Sequence, residues 1–513
     1  MLGTFQSGPS WGRRLGRISF GILAALAALV GLRFLYAFHD RYPGYQVKIA
    51  IDGRSAAATQ RPLRVGFGRV KINPNLQDPQ HPVWLAGFDN GRAAKSIHDD
   101  LWAIALVVDD GVSRLGIVAL DAIGFFHDDV ISVRRRLPAS LKLDYTTVCA
   151  THNHSTPDLM GLWGPSEFRS GVDPVYHEQV INAAVAALEQ ASAATEPVLL
   201  GMHEIITSPE GLVKDTRPPE VYDPDLRVLH FVRPADGSTV GTLVGWANHP
   251  ETPWSKNYDL TADFPGVIRD ALEHGIRYDG QVRQPGLGGI HLFVNGAVGG
   301  LMTTHPSTVV HDPFLDRDFK EPSHDKTRAL GNNLAQRILN RLASTKVALT
   351  NHAPISIHAR TLELPLKNAN FVLAGMIGLL DRGHSSWQHM RTEVALLTLG
   401  DASMACIPGE IYPEIVNGGV IRAPGGDFDM DPLEIPPLRE LMPGRVKFIF
   451  GLANDEIGYI IPKSEWDEVP PYLFHGKSRP YGEVNSLGPD TAHLLHTALR
   501  QRCEEQSGHP SGK

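Results

Sequence analysis

The 513-residue chain is 42% hydrophobic and 20% charged, too apolar for a disordered chain and long enough to bury a substantial core. Its formal net charge is -8 and its body carries no long basic run, which argues against a nucleic-acid partner. Three widely spaced cysteines, Cys149, Cys406 and Cys503, exclude a disulfide-rich scaffold.

The first element in chain order is apolar. Arg13, Arg14 and Arg17 precede residues 18–32, and 34–38 continue the run beyond Arg33. The 21 residues from 18 to 38 are enough to cross a hydrocarbon core about 30 Å thick. Basic residues before the run keep the N-terminus in the cytoplasm and place the rest on the exported, periplasmic or extracellular side. A cleaved signal peptide is the alternative reading. Leu35-Tyr36-Ala37-Phe38 is too bulky for a cleavage site, so 1–39 reads as a retained membrane anchor. The Arg13-Arg14 pair fits a twin-arginine signal poorly. Residues 40–63 read as a polar linker, 64–505 as one large domain, and 506–513 as a tail.

Within the domain, strands at 101–108 and 114–120 flank the turn Asp109-Asp110-Gly111. A short helix at 129–137 precedes a buried strand at 145–150. Helical periodicity covers 174–191. Strands at 226–232 and 240–247 flank Ala235-Asp236-Gly237, and another lies at 291–294. An amphipathic helix at 326–342, strands at 394–399, 403–407 and 445–450, and a helix at 490–500 follow. The expected class is α/β (mixed α+β): one domain with mixed β-sheets and surrounding helices, preceded by one transmembrane helix.

Polar groups collect where strands end. Asp121 follows the strand ending at 120, His152 and His154 follow 150, His249 follows 247, Glu410 follows 407, and Tyr459 lies beyond 450. Sheet enzymes place chemistry there, because a rigid core aims the loops. Thr151-His152-Asn153-His154 is the sharpest motif. In an extended segment both imidazoles face one way and can share one ion or substrate. Two histidines and a carboxylate make a catalytic zinc site. A hydrogen-bonded histidine pair at a loop mouth would look the same. The Asp-His that a metallo-β-lactamase needs is absent after His154, and the hairpins do not fit an amidohydrolase barrel. His249, Glu410 and Tyr459 carry no signal in their own surroundings.

The assembled pattern resembles the neutral/alkaline, non-lysosomal ceramidases. The matching segments are Gly66-Phe67-Gly68-Arg69-Val70, Leu85-Ala86-Gly87-Phe88, Thr151-His152-Asn153-His154-Ser155 and Asp215-Thr216-Arg217-Pro218. They continue through Tyr222-Asp223-Pro224, Asn248-His249-Pro250, Pro408-Gly409-Glu410 and Gly451-Leu452-Ala453-Asn454 to Tyr459. The resemblance implies zinc held by His152, His249, Glu410 and Tyr459. It places His154 beside the metal as a proton-transfer group and Arg217 at the reacting carbonyl or a substrate hydroxyl. Asp121, Asn295 and Gly299 are the expected substrate-binding positions. There are two departures. Only 54 residues follow Tyr459, short of the family's further C-terminal β domain. The family's Asn-x-Gly-Asp-Val-Ser-like segment corresponds to Asn295-Gly296-Ala297-Val298-Gly299-Gly300, with glycine where a serine discussed as nucleophile would stand.

The expected activity is hydrolysis of the N-acyl amide of a lipid, ceramide foremost, by a zinc-activated water at a membrane. Rival readings are a zinc hydrolase of a non-lipid amide or ester, and a membrane-anchored binding protein with a structural metal. The sequence sets no oligomeric state.

Overall fold

The computed structural model describes residues 11–53, 61–344, 347–473 and 479–507, with side chains from residue 15 onward. The side chains of Arg13 and Arg14 lie outside the described residues, as does the expected tail 506–513 except for Gln506 and Ser507, which end the last helix. The chain begins with helix α1 (Trp11–Ala37), strand β1 (Lys48–Ile51), β2 (Arg64–Lys71), β3 (Trp102–Asp109) and β4 (Arg114–Leu120). Helix α2 (His127–Arg136), β5 (Tyr145–Ala150) and α3 (Pro174–Ala193) follow. The middle holds β6 (Leu199–Ile205), β7 (Leu226–Val232), β8 (Thr239–Trp246), α4 (Asp263–His274), β9 (Ile290–Asn295) and α5 (His324–Ser344). The last part holds β10 (Ile355–Pro365), α6 (Ala369–Ile377), β11 (His389–Leu399), β12 (Ala402–Cys406), β13 (Val446–Phe450) and α7 (Thr491–Ser507).

Three sheets carry the domain. Their strand orders are β5-β4-β3-β2, β9-β8-β7-β6 and β1-β10-β11-β12-β13, the first extended by the short strand Glu196–Pro197 beside β2. Leu106, Leu229, Leu292, Leu397, Met404 and Phe448 come from all three sheets and share one buried core. Strands buried on both faces lose the polar alternation of half-buried ones, and β5 and β8 are buried at every position, their threonines included. The Asp109-Asp110-Gly111 turn forms as its residues dictate. Gly111 takes a left-handed φ of 83°, and its N–H donates to Asp109 Oδ1 at 2.7 Å. On the outside, α3 lies against the first sheet. A Cβ on Gly68 would stand 2.6 Å from Ala191 N, so the glycine-rich β2 is what lets the helix pack on backbone.

Each sheet contains one parallel pair, and the three pairs place the functional loops. They run to Leu120↔Ala150, to Trp246↔Asn295 and to Cys406↔Phe450. The C-terminal ends of six strands therefore deliver their following loops in aligned pairs. Those loops are tied together: Ala150 N donates to Leu452 O at 3.1 Å, Gly451 N to Asn295 O at 3.0 Å, and Asn454 N to Val148 O at 2.7 Å.

The structure adds β1, β6, α4, β10 and α6 to the expected elements, and two of them bear on the reading of the sequence. Inside the expected linker 40–63, Lys48–Ile51 is a strand antiparallel to β10. Its short, half-exposed run has too little apolar pattern to signal an edge strand. Helix α4 was not expected, because Pro265 and Gly266 look like breakers, yet both fall in its first turn where proline loses no intrahelical bond. Residues 15–37 of α1 form a helix long and apolar enough for a membrane anchor or a signal sequence.

Candidate active site

His152 follows β5 in a left-handed conformation, φ 65°, which a non-glycine residue adopts only when its surroundings over-determine it. Its Nδ1 lies 2.8 Å from the Ile123 carbonyl oxygen, and His249 Nδ1 lies 2.8 Å from that of Met302. A carbonyl only accepts, so each Nδ1 carries the proton and each Nε2 lone pair points inward. The two Nε2 atoms stand 3.3 Å and 3.0 Å from the same Glu410 Oε2. Tyr459 pairs with Glu410 across a short parallel bridge formed by Glu410–Ile411 and Tyr459–Ile460. The four residues expected to hold zinc are thus brought together, although 307 positions separate His152 from Tyr459.

The donor set suits a cation. Two imidazole nitrogens meet at one carboxylate oxygen, an arrangement that an ion or a shared proton would hold together. Burial opposes charge on His249, but Glu410 outweighs it and raises the imidazole pKa. Burial and then the Glu410 carboxylate push the Tyr459 phenol well above its ordinary range, so an ionised Tyr459 requires a cation beside it. His154 stands closer than expected. Its ligand atom, with those of His152 and His249, falls within 4.8 Å of the others, and its Nε2 is 3.5 Å from His152 Nε2.

His154 has a partner that sequence reasoning missed. Glu251 Oε2 lies 3.2 Å from His154 Nδ1. Burial pushes His154 down to about 4, leaving it neutral at pH 7. Burial works against ionisation of Glu251, yet His154 draws its carboxyl down to about 2. Glu251 stands two residues after His249 in Asn248-His249-Pro250-Glu251, where an acid forms no motif of its own.

Four expected residues are engaged elsewhere. Arg217 is buried and does not line the cavity; its guanidinium donates to Glu483 Oε1 at 2.6 Å and to the Glu465 carbonyl at 3.0 Å, and lies over the Tyr412 ring. Asp121, expected at the substrate, binds both Arg269 nitrogens at 2.8 and 2.7 Å and accepts from Trp102 N. Asn295 is a fully buried clip. Its amide donates to the Thr151 and Asn248 carbonyls at 2.9 Å each, and its carbonyl oxygen accepts from Asn248 N and Gly296 N. It holds the His152 and His249 loops together rather than facing a ligand. Gly299 donates its N–H to the Ile411 carbonyl at 2.9 Å, and a Cβ there would overlap the Tyr412 ring.

A narrow cavity of ≈ 70 Å³ opens onto His152, His154, Glu410 and Tyr459. Its remaining wall is largely apolar, with Ile123, Phe126, Met160, Trp163, Phe371 and Leu380. A larger groove of ≈ 550 Å³ beside α4 holds none of these site residues. Its charged side chains are mostly paired, as in Arg69–Glu273 and Arg269–Asp121.

No family model matches the chain, and no curated protein matches it in sequence. Among solved structures it is similar to neutral ceramidase from Pseudomonas aeruginosa, with a TM-score of 0.65, 17% identity, and coverage of 88% of this chain and 76% of that one. A ceramidase complexed with C2 gives a TM-score of 0.64, 17% identity, and coverage of 88% and 77%. The chain has the neutral ceramidase fold.

Proposed function

We propose that the protein is a zinc-dependent hydrolase of lipid N-acyl amides, of which ceramide is the expected member, anchored in a membrane by α1 with its domain on the exported side. The carrying observation is the cavity, whose lining combines apolar side chains with His152 and His154 of the metal-capable cluster and with Glu410 and Tyr459. The apolar lining suits an acyl chain, and the polar groups suit the amide that follows it. The likeness to ceramidase structures supports the same substrate class.

His152, His249, Glu410 and Tyr459 would hold the ion. Zinc bound there would polarise the amide carbonyl and supply a water of pKa about 7. His154, neutral and with its Nδ1 proton steered by Glu251, keeps Nε2 free toward the same space. It takes a proton during attack and returns it to the departing amine, which cannot leave as an anion. Glu251 stabilises the imidazolium between these events. Gly299 and Gly300 supply no hydroxyl, so hydrolysis passes through no acyl-enzyme at that position. Arg217 acts at a distance, holding Tyr412 and the chain around Glu483 beneath the site.

The test is release of fatty acid from ceramide in detergent by zinc-loaded protein. Release supports the reading. Failure on ceramide and on shorter N-acyl amides, with metal bound, would favour the binding-protein reading.

A further inference from the structure

Helix α1 is clamped to the domain at its C-terminal end. Arg33 donates from Nε to the Met376 carbonyl and from Nη2 to the Gly375 carbonyl, both at 2.7 Å. These carbonyls end α6, where free C=O groups and the helix dipole favour a cation. The Phe34 ring lies tilted 4.6 Å from Trp387, and Phe38 lies 5.1 Å from Trp387 and 4.9 Å from His384. Phe38 comes within 3.7 Å of where a Cβ on Gly375 would be. Just beyond, Arg391 binds Asp40, and His384 N donates to the His39 carbonyl at 3.1 Å. A loosely tethered or discarded segment would not require this interface.

Helix α6 looks both ways. Inward, Phe371, Ala374 and the following Leu380 pack with Ile123, Phe126 and Met160, the group that walls the cavity. Outward, Leu373, Ile377 and Trp387 are 58%, 44% and 46% exposed. Isolated exposed apolar side chains are ordinary. These three, however, lie beside the end of a membrane-length helix. Residues 15–32 contain no charge but Arg17, and their 18 positions span about 27 Å, close to a hydrocarbon core of about 30 Å. The bilayer boundary then falls at Arg33, at the level of the α6 C-terminus. Tryptophan at that depth is an interfacial residue.

We infer that α6 and the Trp387 loop form a membrane-docking surface, seated in the headgroup region of the leaflet on the domain side. This surface passes an N-acyl lipid from the leaflet into the cavity between α6 and the Met160 loop, with no step through bulk water. The delivery rests on the proposed lipid-amide activity; the docking does not.

Both parts are testable with the full chain in phosphatidylcholine vesicles. Cys149, Cys406 and Cys503 are buried, so a nitroxide can be placed selectively at Leu373→Cys, with exposed Ile206→Cys as control. Docking requires the label at 373 to be relaxed by lipid-soluble oxygen and shielded from a water-soluble nickel chelate, with the reverse at 206. A label at 373 as open to the chelate as that at 206 overturns it. For delivery, the double variant Leu373→Glu with Ile377→Glu should lose about tenfold in kcat/KM on bilayer-embedded ceramide. It should keep wild-type turnover on a water-soluble short-chain N-acyl amide, which also shows that it is folded. Equal rates on both substrates overturn delivery. Wild-type protein that cleaves neither overturns the proposed activity and delivery with it, while the label still decides docking.

Discussion

Adding a single carbon at Gly299, beside Gly300 at the family's serine position, tests whether this stretch has room for a side chain. A Cβ at that position would overlap Tyr412 Cδ1 and stand 2.6 Å from both Ile411 C and Tyr412 N. Ordinary contact begins near 3.4 Å, so the backbone around Ile411 must retreat by close to 1 Å. Tyr412 cannot swing aside, because it is fully buried beneath the Arg217 guanidinium. Overpacking of a filled core costs about 1–3 kcal/mol, and two backbone contacts put this case near the upper end. The displaced segment carries Glu410, and a misplacement of about 1 Å at a reacting centre costs about 100-fold in rate. Gly299→Ala and Gly299→Ser should therefore both lose about 3 kcal/mol in urea unfolding followed by circular dichroism. Both should also lose about 100-fold in amide hydrolysis. A Gly299→Ser variant with wild-type stability and faster turnover, or an acyl group trapped on its introduced hydroxyl by mass spectrometry, would refute the steric argument and the water mechanism together.

Three further outcomes follow from the contacts. Glu251→Gln should lower kcat about 10- to 100-fold with bound metal unchanged, because it unsettles the His154 tautomer without removing a ligand. Asp121→Ala should leave KM unchanged and destabilise the fold by about 3–5 kcal/mol, since it strands the buried Arg269. His291 and His230 are pushed down by burial to about 3 and about 4, against about 6.5 when unfolded. The unfolded chain binds more protons, so their contribution is complete above about pH 6.5 and is lost as pH falls toward 4. Unfolding titrations in that window should show the loss, and His291→Gln should flatten it.

Much of the fold was legible because doubly buried strands leave largely apolar runs that end at polar residues. The expected strands at 145–150 and 226–232 match β5 and β7 residue for residue. Strand ends alone could not separate chemistry from architecture. Asp121 and His152 both follow strands of one parallel pair, yet Asp121 meets Arg269, 148 residues away on an unexpected helix. Asn295 likewise turned from a substrate contact into a clip, because both loops it joins come from other strands. Arg217 stood in a motif that pointed to the carbonyl, but Glu483, 266 positions later, takes its guanidinium. Glu251 was overlooked because an acid after His249-Pro250 has no local pattern; only the return of His154 gives it a role. The edge strand β1 had too little apolar surface to declare itself.

The central claim is that one ion at His152, His249, Glu410 and Tyr459 drives lipid-amide hydrolysis. The most direct measurement titrates zinc into chelator-stripped full-length protein, following bound metal and fatty acid released from ceramide in the same samples. The account predicts that hydrolysis rises with bound zinc and saturates at one equivalent, and that His152→Ala loses both. Full hydrolysis by stripped protein, or stoichiometric zinc with none on any N-acyl amide, would contradict it.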